Sequence, residues 1–178
     1  ILDEIQAGVA RTGYWFAKDH YGVQPDVMTL AKGLGAGVPI GAVLCNDRIH
    51  EAIDFGDHGT TFGGNPLVCA AALASLKAIE DENLLEAAKQ KEQWIRQKVE
   101  SMNLPGLKRI KGRGLMLGLE FEFETKPLVG MMLEHGVLAN ATAGNILRLV
   151  PPLVISEEEM EKALGVLDAC LKEMSVAG

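Results

Sequence analysis

Cysteine is scarce. The three present, Cys45, Cys69 and Cys170, are far apart and odd in number. This spacing rules out a disulfide framework and a cysteine metal cluster, and it is the usage expected of a chain kept in a reducing cytoplasm. Basic charge is also short, with 17 Lys and Arg against 24 Asp and Glu and a formal net charge of −7. Nucleic acid is excluded as a main partner on that balance, because a phosphate backbone demands a basic face. No apolar run reaches membrane-spanning length. His20, His50, His58 and His135 are scattered without metal-ligand spacing, so no metal is expected. There is no Gly-x-Ser-x-Gly nucleophile elbow. The glycines at 33, 35 and 37 form neither a dinucleotide fingerprint nor a Walker loop. What is present is a chain of 178 residues, 48% hydrophobic, which is enough to build a core.

The opening, Ile1-Leu2-Asp3-Glu4, reads as the end of a buried strand with neither an initiator Met nor a leader pattern, so the sequence is expected to belong to a longer protein. A glycine-punctuated loop follows over 4–13, then helical spacing over 14–21. Short apolar strands are expected at 27–30 and 40–45, with a short helix at 47–53. Pro66 opens an alanine-rich helix to about Asp81. A second amphipathic helix covers about 83–102 and Pro105-Gly106 breaks the pattern. Beyond it, alternation predicts a strand over 115–123. A helix is expected at 126–135, stopped by Gly136, with strands at 137–139 and 146–150. Ser156 and Glu159 have capping-box spacing for a final helix to about Met174. The expected organisation is α/β, with residues 1–81 part of a larger domain and 82–178 a small α+β domain.

The residue that draws most attention is Lys32, placed between the apolar run 27–30 and the turn Gly-Leu-Gly-Ala-Gly-Val-Pro. Ligands bind beyond the carboxyl ends of strands in open α/β sheets. An amine held away from water there loses its proton readily and becomes a Schiff-base nucleophile, although a lysine after a strand is most often a solvated surface group. Asp3 is either a turn cap or a carboxylate facing a cationic nitrogen. Gln6 is either a loop amide or a donor to a phenolate oxygen. The segment His58 to Pro66 ahead of a helix, with Thr60, Thr61, Gly63 and Gly64, suits either a capping loop or a phosphate. Arg148, flanked by apolar residues, serves either a structural ion pair or a bidentate carboxylate contact. The acidic run 156–161 reads as a solvated helix face, and the cluster Lys108 to Arg113 is too short to mark a nucleic-acid surface.

Taken together, Asp-Glu-Ile-Gln-Ala-Gly-Val-Ala-Arg-Thr-Gly, Thr-Leu-Ala-Lys-Gly-Leu-Gly and Gly-Thr-Thr-Phe-Gly-Gly-Asn-Pro-Leu resemble the class III, ornithine-type aminotransferases, fold-type I pyridoxal-phosphate enzymes. Lys32 stands 29 residues after Asp3 and Thr61 stands 29 after Lys32. The resemblance continues through Leu-Arg-Leu-Val-Pro-Pro-Leu, and the acetylornithine-type branch is the most similar. It implies a large-domain C-terminal part followed by a small domain. It also implies pyridoxal 5′-phosphate as cofactor and transamination between an N-acetylornithine-like amine and 2-oxoglutarate, in arginine biosynthesis. Ornithine, succinylornithine or 4-aminobutyrate as donor, or a non-catalytic fragment, are the alternatives. By position, Lys32 would be the Schiff-base lysine and proton shuttle, and Asp3 would pair with the pyridine nitrogen. Gln6 would contact the ring oxygen, Thr61 the phosphate of the cofactor in the partner subunit of a homodimer, and Arg148 the substrate α-carboxylate.

The family's N-terminal half, with its phosphate cup and ring-stacking aromatic, has no counterpart in these residues, and a sheet short of strands exposes apolar edges. Residues 1–178 purified alone are therefore expected not to hold pyridoxal phosphate tightly. A stable long-wavelength absorbance band from that segment would contradict this.

Overall fold

The computed structural model describes residues 1–176, and the chain divides into two units, Ile1–Glu86 and Ala87–Gly178. In the first unit, β1 (Leu2–Asp3), β2 (Val27–Leu30) and β3 (Ala42–Cys45) form one sheet in that order. β1 runs parallel to β2, with Asp3 opposite Thr29, and β3 runs antiparallel to β2, with Val43 opposite Thr29. Met28 and Leu30 of β2 are buried, on one side of the pleat, as period-2 alternation requires.

Two helices follow. The short α1 (Asp47–His50) is capped by Asn46, whose side chain accepts from Ile49 N at 3.1 Å. The long α2 (Pro66–Asp81) starts where the Asn65 side-chain oxygen accepts from Leu67 N and Val68 N at 3.1 and 3.2 Å, with proline in its first turn. Its buried stripe is Val68, Ala72 and Ile79. Asn83, at φ 51°, stops the helical path. Asparagine tolerates that left-handed conformation better than most residues.

The second unit takes in all of α3 (Leu84–Met102) but its first three residues, followed by β4 (Leu107–Arg113), β5 (Met116–Phe121), α4 (Lys126–Glu134), β6 (Asn140–Thr142), β7 (Ile146–Leu149) and α5 (Glu157–Val176). The sheet order is β4-β5-β7-β6 and every pairing is antiparallel. Leu117, Leu119 and Phe121 alternate to one face of β5. They form a single core with Ile95 and Val99 of α3, Leu128 and Met132 of α4, Leu147 of β7 and Leu164 and Leu167 of α5. Ser156 and Glu159 make the reciprocal capping box: Glu159 N donates to Ser156 Oγ at 3.1 Å and Ser156 N to Glu159 Oε2 at 2.8 Å. The β4–β5 hairpin is tied to α3. Arg96 donates to the carbonyls of Ile110 and Gly112 at 3.3 and 2.7 Å, and Glu92 accepts from Gly114 N.

Several expectations from the sequence need correction. The helix expected over 14–21 is only a 3-10 turn, Ala17–His20. The strand expected as buried at 40–45 is an edge strand in this unit, with Val43 and Leu44 68% and 44% exposed. The basic cluster Lys108 to Arg113 is part of strand β4. Its lysines and arginines face outward on a sheet edge, where charge is the usual device against further pairing. The strand expected at 137–139 lies at Asn140–Thr142, because α4 ends one turn before the chain straightens. The first unit also leaves Phe55, Phe62, Leu67 and Leu73 largely in solvent.

Glu120 of β5 accepts hydrogen bonds from Arg109 and Lys111, the latter at 3.1 Å, and these hold its carboxyl at about 2, below its ordinary 4.5. A carboxyl with a depressed folded-state pKa stabilises fully above the unfolded value and loses that contribution as pH falls toward the folded one. The gap in unfolding midpoint between the wild type and Glu120→Gln is therefore expected to be full above pH 4.5 and to close as pH approaches 2, as read by denaturant melts across that range. Asn65→Ala removes the α2 cap and is expected to lower stability by about 1 kcal/mol in the same melts.

Candidate functional site

β2 delivers the chain to Lys32 with two side chains anchored in the core. Directly afterwards the backbone turns sharply. Lys32 has φ 44° and opens a 3-10 turn, Lys32–Gly35, that Ala36 closes at φ 48°. Left-handed backbone at a lysine is unfavourable, and strain of this kind collects where a side chain must be aimed. The turn is held by Leu34 N donating to Ala31 O at 3.0 Å and Ala36 N to Gly33 O at 3.3 Å. Gly35 is required by contact: a β-carbon there would sit 2.7 Å from Ile40 Cγ2. Ser75 Oγ of α2 donates to Gly33 O at 3.4 Å, which pins the turn to the helix.

The Lys32 turn and the loop before α2 come together around a cavity of about 660 Å³. Its walls include Lys32, Pro39 and Ile40 from one segment and Thr60, Phe62 and Gly63 from the other. Lys32 was expected to be shielded from water, but it is exposed in this unit because the cavity walls leave it open. Thr60 is the hydroxyl that lines the cavity, its Oγ1 accepting from Gly63 N at 3.3 Å. Thr61 is exposed on the same loop and is not part of the cavity wall.

Asp3 stands at the carboxyl end of β1, opposite Thr29, which precedes Lys32 by three residues in sequence. Its Oδ1 accepts from Ile5 N at 2.9 Å and from Thr29 Oγ1 at 3.4 Å. Gln6 is half-buried in the loop that follows. In that loop Val9 and Ala10 are buried at φ 54° and 67°, and Val9 packs beside Gly33. Nearby, burial pushes the Arg11 guanidinium below its ordinary pKa. The loop also contains Glu4, which is 3% exposed and which the sequence reading passed over in favour of its neighbour Asp3. Two adjacent carboxylates at a strand end carry no signal saying which one turns inward.

Arg148 belongs to the second unit. It lies on β7, paired with Gly118 of β5 and Asn140 of β6, and borders a mostly apolar cavity of about 450 Å³ with Leu138, Val150, Ile155 and Lys162. The first unit thus brings Asp3 and the approach to Lys32 to one sheet end and sets Lys32 and Thr60 on one cavity that Asp3 does not line, with Gln6 and Thr61 on adjoining loops. An amine, a carboxylate at a strand end and hydroxyls ahead of a long helix form a donor set that suits an aldehyde-bearing, phosphorylated, ring-nitrogen cofactor. Among the described residues no group of His, Cys, Asp and Glu could hold a metal ion, and no helix is long and apolar enough to cross a membrane.

Known proteins resemble this chain in sequence and fold. The chain is 46% identical over 178 residues to the acetylornithine aminotransferase of Methanocaldococcus jannaschii, covering 98% of this chain and 44% of that protein. It is 45% identical over 177 residues to the same enzyme of Caldanaerobacter subterraneus, with coverage of 98% and 45%. Its fold matches the solved ornithine aminotransferase of Toxoplasma gondii with a TM-score of 0.90 at 36% identity, over 99% of this chain and 43% of that one. That structure carries pyridoxal phosphate at partial occupancy in its active site. It matches the acetylornithine aminotransferase of Elizabethkingia anophelis with a TM-score of 0.86 at 38% identity, over 96% and 44%. The chain therefore spans less than half the length of the relatives it matches. The family model described as aminotransferase class-III aligns with residues 1–171, and the chain belongs to that family.

Proposed function

We propose that the protein to which this chain belongs is a cytoplasmic, homodimeric aminotransferase. It would use pyridoxal phosphate to move the amino group of an N-acetylornithine-like ω-amine to 2-oxoglutarate, in arginine biosynthesis. The observation that carries this reading is Lys32, held in a left-handed turn at a strand end and facing a cavity shared with the threonine-glycine loop before α2. Relatives named acetylornithine aminotransferase at 43–46% identity support the choice of substrate. Ornithine is the second reading, favoured by the match to the Toxoplasma gondii ornithine aminotransferase.

When bound, pyridoxal phosphate supplies an electron sink for the bond broken at the substrate carbon. The roles proposed for this chain's own residues are those the family resemblance implies, and their chemistry is compatible with them. Lys32 would hold the cofactor through its Nζ amine and would serve as the base that takes a proton from the substrate carbon and returns it. Asp3, with Oδ1 already engaged by Ile5 N and Thr29 Oγ1, keeps a proton on the ring nitrogen through its remaining oxygen. Gln6 contacts the ring oxygen. Thr61, on the exposed loop, reaches the phosphate of the cofactor in the partner subunit, and Arg148 grips the substrate carboxylate with its planar fork.

Borohydride reduction of the full-length protein with pyridoxal phosphate, followed by peptide mapping, is expected to label Lys32. No label there would sink the reading. Lys32→Ala is expected to lower turnover by roughly a thousandfold or more in a coupled amino-transfer assay while leaving the melting temperature near that of the wild type.

A further inference from the structure

We infer that Glu4 is a positioning residue for the cofactor site, locking the carboxyl end of β1 so that Asp3 is presented to the ring nitrogen. This rests on the proposed role of Asp3. A carboxylate is costly to bury unless each oxygen is satisfied. Glu4 is 3% exposed, and both its oxygens are taken. Oε1 accepts from Lys18 N at 2.8 Å and Oε2 from Ala17 N at 3.0 Å, the first two amides of the 3-10 turn. Its main chain is equally committed, with Glu4 N donating to Thr29 O at 3.0 Å and Glu4 O accepting from Gly8 N at 2.9 Å.

One residue thus joins three segments: strand β2, the loop carrying Gln6, and the turn at 17–20. The loop closes on it so tightly that a β-carbon at Gly8 would lie 2.8 Å from Glu4 O. Thr29 completes the arrangement, because its carbonyl holds Glu4 while its hydroxyl donates to Asp3 Oδ1. Asp3 itself is exposed, and the two bonds to its Oδ1, from Ile5 N and Thr29 Oγ1, come from the residue that follows Glu4 and from the strand residue whose carbonyl holds Glu4. Its direction therefore depends on the anchored neighbour, much as outer hydrogen bonds orient first ligands at metal sites.

The test uses the full-length protein loaded with pyridoxal phosphate. Glu4→Gln keeps the shape but turns one acceptor into a donor facing a backbone N–H. Ala17→Pro leaves Glu4 intact and deletes one amide that it binds. Proline is compatible with the first position of the turn, since Phe16 before it is already extended at ψ 145°.

Both variants are expected to bind pyridoxal phosphate roughly tenfold more weakly, about the loss of one hydrogen bond to a charged group. Both are also expected to move the pH midpoint of the cofactor's absorbance change upward, because a ring nitrogen that loses its proton no longer disfavours the neighbouring positive charge. Turnover should fall more than the substrate KM rises. Unchanged cofactor affinity and an unchanged absorbance titration in Ala17→Pro, whatever happens to thermal stability, would overturn the inference. If the wild-type protein shows borohydride label on Lys32 while the variants titrate normally, the positioning role fails and the cofactor reading stands. If the wild type shows no label, the underlying reading fails instead.

Discussion

The first unit depends on the parallel pairing of two very short strands, Leu2–Asp3 against Val27–Leu30. So short a pairing gains little by itself. It is held by what surrounds it: the main-chain bond from Glu4 to Thr29, the two amides on the Glu4 carboxylate, and Met28 and Leu30 in the core. Parallel strands end on the same side, so this pairing brings Asp3 and the approach to Lys32 to one sheet end although 29 residues separate them in sequence. Under the proposed function, that register is what lets the carboxylate and the amine serve one cofactor.

A second constraint lies in backbone conformation. Val9, Ala10, Lys32 and Ala36 all occupy left-handed conformations with φ between 44° and 67°. Each is disfavoured for a residue with a β-carbon, and most of all for branched Val9. They gather in two touching segments, where Val9 packs beside Gly33. Strain held by surrounding structure is a feature of sites that aim a group. Under the proposed function the aimed group is the Lys32 amine. The second unit shows the opposite economy: an antiparallel sheet with three helices over a continuous aliphatic core, and Arg148 carried on an inner strand between β5 and β6.

Elements with a strong local signal were legible in the sequence. The asparagine-proline start of α2, the Ser156–Glu159 capping box and the β2 apolar run all stand where their chemistry places them. Legibility failed where tertiary context overrides pattern. The residues at 14–16 have helical spacing, but the chain there is bent so that Ala17 N and Lys18 N can reach Glu4. β4 has the composition of a solvated segment because it is a charged edge. Glu4 and Asp3 are adjacent acids, and nothing local says that one is sealed inside while the other meets solvent.

By itself the sequence determined the family, through three motifs in fixed order, and it determined which residue types were available: one lysine among glycines, a strand-end acid, a threonine pair before a helix. Those features are local, set by backbone freedom, capping and spacing along the chain. Tertiary structure alone decided which of them share a place. It put Thr60 rather than Thr61 on the wall of the Lys32 cavity, turned Glu4 inward beneath Asp3, and left Lys32 open to solvent. These outcomes depend on pairing register and on the burial of groups distant in sequence, which no short-range pattern encodes.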